Sequence, residues 1–211
     1  WYRKHFVAPK ETAGKDVILH FEAIMGKQKF YVNGKLVKEH LGGYLPITIS
    51  LTEAGVKAGD SCVVAVMTDN SDDKSYPPGK TQYTLDFAYH GGIYRDVWMI
   101  AKSPVAITDA IEAGKVAGGG VFVHFVRISE QSADVFVNTD VKNNGKQAKS
   151  VIVETTLTDV NGNLVKKASE RLTIASGETK TAMQRLVVKN PRLWSPDTPY
   201  LYRVESRMKE G

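Results

Sequence analysis

Short runs in which apolar residues recur at every second position cover most of the chain, and they predict β-strands. Near the start, Val17, Leu19, Phe21 and Ala23 follow this period. Because successive side chains of a strand point to opposite faces, these four residues would share one buried face. Residues 61–68 are more continuously apolar, which favours a strand at the centre of its sheet. No segment shows a convincing amphipathic helical pattern, so the sequence predicts an all-β fold.

Turn residues separate these runs. Asn33-Gly34 stands between two alternating runs and predicts a hairpin, because both central positions of a type I′ turn need positive φ. The pattern restarts around residues 102–104, and the second half holds roughly seven short runs separated by turn residues. About seven strands in about 100 residues are typical of a β-sandwich. The sequence therefore predicts two domains, residues 1–102 and residues 103–211.

Composition and charge exclude several classes of function. The 211 residues are 42% hydrophobic and 24% charged, as in ordinary globular proteins. The net charge is +5, but the basic residues are scattered among acidic ones, so we predict no nucleic-acid partner. No apolar run is long enough for a membrane helix. The five histidines lack metal-site spacing and the single Cys62 lies in an apolar run, so we expect no metal and no cofactor.

Four segments, in the same order, resemble glycoside hydrolase family 2 of the β-galactosidase type. They are WYRKHF at 1–6, FYVNGK at 30–35 followed by GGYLP at 42–46, GGIYRDV at 91–97, and NPRLWSP at 190–196 followed by PYLY at 199–202. The resemblance covers nearly the whole chain. It implies a galactose-binding-like jelly-roll β-sandwich over residues 1–102, truncated at its N-terminus, and an immunoglobulin-like β-sandwich over residues 103–211.

In that family a catalytic (β/α)₈ barrel with two glutamates follows these domains. Retaining hydrolysis needs two carboxylates about 5 to 5.5 Å apart. This sequence shows no strand and helix alternation from which a barrel could be built. We therefore expect a fragment of a β-galactosidase that hydrolyses terminal β-galactosides. The fragment itself would contain no catalytic residue and would be inactive alone.

Asp86 is the candidate substrate-binding residue that the resemblance singles out. It precedes the GGIYRDV segment at the spacing where β-galactosidases have an Asp that reaches sugar hydroxyls in the barrel. An ionised carboxylate can accept two hydroxyl hydrogen bonds, although a loop Asp can also simply cap a turn. Tyr89 and His90 lie on the same loop and are candidate sugar contacts. The alternative for the loop aromatics is packing against the barrel.

Two other functions remain open from the sequence. The chain could be an independent carbohydrate-binding module, or an interaction module without ligand chemistry. Trp1 and Trp98 are interpreted as core residues and Tyr44 as packed. An exposed sheet edge left by truncation would promote pairing between copies, hence a homo-oligomer. The compartment is not assigned, because a targeting segment would lie upstream of residue 1.

Overall fold

The computed structural model describes residues 1–211, and almost all of its regular structure is β-strand. The all-β prediction is therefore confirmed. The chain divides into two units, Trp1–Ser103 and Pro104–Gly211. No helix has the length and apolar character that crossing a membrane would require.

The first unit is a sandwich of two antiparallel sheets. Its strands are β1 (Tyr2–Val7), β2 (Asp16–Phe21), β3 (Ile24–Met25), β4 (Lys27–Val32), β5 (Lys35–Leu41), β6 (Ile47–Ser50), β7 (Ser61–Asp69), β8 (Gly92–Ile93) and β9 (Val97–Lys102). One sheet has the order β1-β7-β4-β5 and the other β6-β2-β9, while β3 pairs with β8. Phe21 and Phe30 meet in the core between the sheets, with ring centroids 5.2 Å apart.

The predicted hairpin and the predicted central strand are both present. Asn33 and Gly34 have φ of 49° and 81°, the two positive values that a type I′ turn needs, and they join β4 to β5. The Asn33 side-chain oxygen also accepts a hydrogen bond of 2.8 Å from the Val63 amide. The turn is thereby tied to β7, which lies between β1 and β4 as its apolar run predicts.

The interpretation of Trp1 and Trp98 as core residues is wrong. Trp1 is 76% exposed and Trp98 is 53% exposed. Trp98 lies on β9, at the edge of its sheet, where the indole N–H donates a 2.8 Å hydrogen bond to the Glu22 carboxylate. A side chain on an edge strand can be exposed where the same side chain on a central strand would be buried. Residue type alone therefore misplaced both rings.

The second unit is also a sandwich of two antiparallel sheets, and it has seven strands, the approximate number that the sequence predicts, although β16 was not among the predicted runs. The seven strands are β10 (Val105–Ile107), β11 (Val121–Val126), β12 (Ser132–Asn143), β13 (Lys149–Thr158), β14 (Leu164–Ile174), β15 (Thr179–Lys189) and β16 (Arg203–Glu210). Strand β12 pairs with β15 along one side and with β10 and β11 along the other. The second sheet has the order β14-β13-β16. Between the sheets, Ser206 joins the buried hydroxyls of Thr139 and Thr155 at 3.1 and 2.8 Å.

One short helix, α1 (Ala110–Ala113), escaped prediction. Asp109 caps it by accepting hydrogen bonds from the amides of Ile111 and Glu112, and Gly114 ends it at φ 58°. A single turn is too short to show helical periodicity. The helix and its following loop cover part of one face of the β12–β15 pair.

Candidate functional site

The three candidate substrate-binding residues lie on one surface segment of the first unit. Residues 70–96 connect β7 to β9 and contain a 3₁₀ turn at Gln82–Thr84 before β8. Asp86 and His90 are exposed, whereas Tyr89 is half-buried. The carboxylate of Asp86 is therefore accessible from solvent. We call residues 70–92 the Asp86 loop.

The Asp86 loop is fixed by polar contacts. The Lys27 ammonium lies 2.8 Å from the Asp73 carboxylate and joins the loop to the start of β4. The backbone amide of Gln82 donates to Asp72, and the Gln82 side chain donates to the carbonyl of Asn70 at 2.7 Å. A hydrogen bond and the charge of Lys27 hold the pKa of Asp73 well below its usual range, so this carboxylate stays ionised at neutral pH.

Three tyrosines meet behind the exposed part of the loop. Tyr76 is only 6% exposed. Burial raises the pKa of Tyr89, and the neighbouring Tyr76 and Tyr44 raise it further. Tyr44 belongs to the GGYLP segment, so this turn and the Asp86 loop lie side by side. Tyr44 is 49% exposed, which corrects its interpretation as a packed residue.

Close approach to another segment explains why the GGIYRDV segment begins with glycines. Gly92 has φ +74°, and a Cβ at this position would lie 2.1 Å from the hydroxyl oxygen of Tyr2. The next amide, of Ile93, donates a 3.3 Å hydrogen bond to that hydroxyl. The hydroxyl of Tyr94 in turn donates to the carbonyl of Gly43. Three of the segments that carry the family resemblance therefore contact one another around the Asp86 loop.

The site also contains a buried polar residue, Gln28, that was not predicted from the sequence. Gln28 is 1% exposed, and its amide nitrogen lies 2.9, 2.7 and 2.8 Å from the carbonyl oxygens of Ile24, Gly26 and Gly42. Its side-chain oxygen lies 2.9 Å from Nδ1 of His40. Gln28 is in phase with the buried Phe30 on β4, so the strand period contained a signal for its burial.

His40 completes this network as a neutral imidazole. Burial lowers its pKa, and the positive charge of Lys38 lowers it further. Together Gln28 and His40 hold the turn at residues 42–46 against β3 and β4.

The site as a whole offers the chemistry that sugar recognition uses. Asp86 is an exposed acceptor on an anchored loop, Tyr89 stays a neutral phenol that can donate or accept, and Phe87 exposes 54% of its surface. Neutral hydroxyl-rich ligands need such alternating acceptors and donors beside an aromatic surface. The structure thus defines a pair of β-sandwiches, the first of which carries a polar and aromatic surface loop.

Comparison with known proteins identifies the family. Residues 1–104 match the model described as "Glycosyl hydrolases family 2, sugar binding domain", and residues 120–211 match "Glycosyl hydrolases family 2". The chain belongs to glycoside hydrolase family 2. The jelly-roll and immunoglobulin-like assignments implied by the sequence resemblance are thereby confirmed.

Individual relatives are named either β-glucuronidase or β-galactosidase. A β-glucuronidase of Formosa agariphila is 31% identical over all of this chain and 22% of its own length. A β-galactosidase of Thermoanaerobacter pseudethanolicus is 32% identical over 99% of this chain and 26% of its own length. The solved structure of Bacteroides uniformis β-glucuronidase 2 superimposes with a TM-score of 0.87 and 29% identity over all of this chain and 24% of that one. The chain spans about a quarter of the length of these relatives.

Proposed function

We propose that these 211 residues are the accessory domains of a longer β-galactosidase, in which Asp86 accepts hydrogen bonds from the sugar. Family membership and the greater length of the relatives support the first part of this proposal. The observation that carries the second part is the exposed Asp86 carboxylate on a loop fixed by Lys27 and Asp73. Charge-assisted hydrogen bonds to a carboxylate are stronger than those between neutral groups.

The charge of Asp86 favours a galactoside over a glucuronide. Relatives with either name have nearly the same identity to this chain, so similarity does not choose between them. A glucuronide carries its own carboxylate, which Asp86 would repel if the two groups lay close together. A galactoside has only neutral hydroxyls. Asp86 can accept hydrogen bonds from them without electrostatic penalty.

Two assays test this function. In the whole protein, we expect kcat/KM for p-nitrophenyl β-galactoside to exceed that for the β-glucuronide by at least about a hundredfold, since the two substrates differ by a charge near Asp86. The 211-residue chain alone should hydrolyse neither substrate. A preference for the glucuronide would contradict the galactosidase proposal. Binding of galactose to the isolated chain that Asp86→Ala abolishes would instead favour an independent carbohydrate-binding module.

A further inference from the structure

A polar cleft of about 470 Å³ lies on the second unit, far along the chain from the Asp86 loop. Its floor is the outward face of the β12–β15 pair, and its rim is α1 with the loop that follows. The side chains that define its chemistry are those of Glu112, Lys115, Asp140, Lys142, Thr179 and Thr181. We call it the β12–β15 cleft.

Asp140 fixes the geometry of this cleft. It is 3% exposed, lies opposite Thr181 in the strand register, and accepts hydrogen bonds from the Thr181 hydroxyl and, at 2.9 Å, from the Lys115 ammonium. Burial opposes ionisation, but the bonds from Lys115 and Thr181 outweigh it, and the pKa of Asp140 lies below its usual value. The cleft therefore has a rigid ionised carboxylate in its floor.

The remaining groups restrict the chemical class of a ligand. The ammonium groups of Lys115 and Lys142 balance the carboxylates of Glu112 and Asp140, so the cleft has no net formal charge. A phosphate site would need an excess of positive charge, and a Ca²⁺ or Mg²⁺ site would need clustered oxygen ligands without ammonium groups. A mixture of donors, acceptors and threonine hydroxyls instead suits a neutral ligand with many hydroxyl groups.

An aromatic surface continues from the cleft along the same sheet face. Phe122 on β11 pairs with Asn138, which is two residues from Asp140 and points to the same face. Diagonal neighbours of this kind lie about 7 to 8 Å apart. The Phe122 ring stacks with His124 at 5.6 Å, and His124 stacks with Phe136 at 5.1 Å. Sugars have apolar C–H surfaces as well as hydroxyls, and this face offers partners for both.

We propose that the β12–β15 cleft, with the adjoining Phe122 ring, is a binding site for a neutral saccharide on the second unit. Lys142 and Thr179 are the groups that remain available to the ligand. Neither is among the hydrogen-bond donors to Asp140, which are Lys115, Thr181 and the Gly119 amide. Either can therefore be replaced without breaking the contacts that hold the cleft together.

Titration of the ¹⁵N-labelled 211-residue chain with galactose and with lactose tests the proposal. We expect chemical-shift changes that saturate at millimolar sugar and are confined to residues around 112–122, 138–142 and 179–181. Lys142→Met and Thr179→Val should each weaken binding, Lys142→Met by about tenfold through loss of a hydrogen bond from a charged group. Lys166→Met, an exposed lysine on the other sheet, is the matched control and should leave binding unchanged.

Three results would overturn the proposal. The first is the absence of localised shift changes at saturating sugar, and the second is shift changes that Lys142→Met and Thr179→Val leave intact. The third is tighter binding of glucuronate or inorganic phosphate than of galactose, because the cleft carries no net charge. Asp86→Ala should not alter this binding, so the outcome is independent of the proposed role of Asp86.

Discussion

The Lys27 ammonium lies 2.8 Å from the Asp73 carboxylate, and this ion pair joins the first residue of β4 to the Asp86 loop. The loop has little regular structure between β7 and β8. Its position therefore depends on a few side-chain contacts, and this pair joins it to β4. Any role of Asp86 requires these contacts to hold.

Replacing Lys27 by Met should loosen the Asp86 loop without unfolding the unit. Both partners are partly exposed, so the pair is screened by solvent. We expect amide hydrogen exchange in residues 70–90 to quicken by less than about fivefold, with β2 and β4 unchanged. Lys29→Met, which removes the exposed pair with Glu39, is the control and should leave the loop unaffected. Equal effects of the two substitutions would show that Lys27 does not position the loop.

Gln28→Leu should destabilise the first unit strongly. The substitution leaves the carbonyls of Ile24, Gly26 and Gly42 without the amide donor that they share. The carbonyls of Gly26 and Gly42 keep the backbone amides that also donate to them, so the carbonyl of Ile24 and Nδ1 of His40 are the groups that lose a partner. An unpaired buried polar group costs about 1 to 3 kcal/mol, so we expect a loss of about 2 kcal/mol in the free energy of unfolding, measured by denaturant titration. Gln82→Leu removes a single exposed hydrogen bond and should cost less than about 1 kcal/mol. A small effect at Gln28 would contradict the network described above.

His40 should make the first unit less stable in acid. Burial lowers its pKa in the folded state below the unfolded value of about 6.5. The unfolded chain then binds the proton more readily, so stability falls as the pH drops below about 6.5. His40→Asn keeps a donor near Gln28 and should flatten this part of a melting-temperature profile between pH 7.5 and 5. A His40→Asn profile that falls in acid as steeply as that of the unmodified chain would contradict this role of His40.

Gly43→Ala should destabilise the turn that holds Tyr44, and Met25→Ala should relieve part of the effect. A Cβ on Gly43 would lie 2.2 Å from the sulfur of Met25 and 2.7 Å from its terminal methyl carbon. Overpacking of this kind costs about 1 to 3 kcal/mol. A double-mutant cycle measured by denaturant titration should give a favourable coupling between the two substitutions. Simple additivity would show that the steric contact is not the cause.

The recurrence of apolar residues at every second position predicted most of the strands. Val17, Leu19 and Phe21 share one buried face of β2 as predicted, although Ile18 on the opposite face is buried as well, and Asn33-Gly34 forms its hairpin. Predictions failed where the local pattern of apolar and polar residues does not specify the structure. Strand β16 reads RVESRMKE, with little alternation, and it forms because β13 offers a free edge beside it. Sheet edges are set by tertiary pairing, which is also why Trp98 was misplaced.

The candidate site was predictable only in part. Asp86, Tyr89 and His90 lie together on one loop because they are close in sequence. The groups that fix the loop and its neighbouring turn come from distant segments, and sequence reasoning assigned Lys27, Asp73, Gln28 and Tyr76 no role. Lys27 and Asp73 look like ordinary surface charges until the strands are paired. Contacts between β4 and a loop some forty residues later depend on the sheet order, which local patterns do not specify.

The most direct test of the proposed function is kcat/KM of the whole protein for p-nitrophenyl β-galactoside after Asp86→Asn. Losing charge-assisted bonds to sugar hydroxyls should lower kcat/KM by at least about a hundredfold. Asp60→Asn, an exposed Asp in the turn before β7, is the matched control and should leave kcat/KM unchanged. Losing even one such hydrogen bond should lower kcat/KM by more than about twofold. A kcat/KM of the Asp86→Asn protein within about twofold of the unmodified protein would therefore contradict a sugar contact by Asp86.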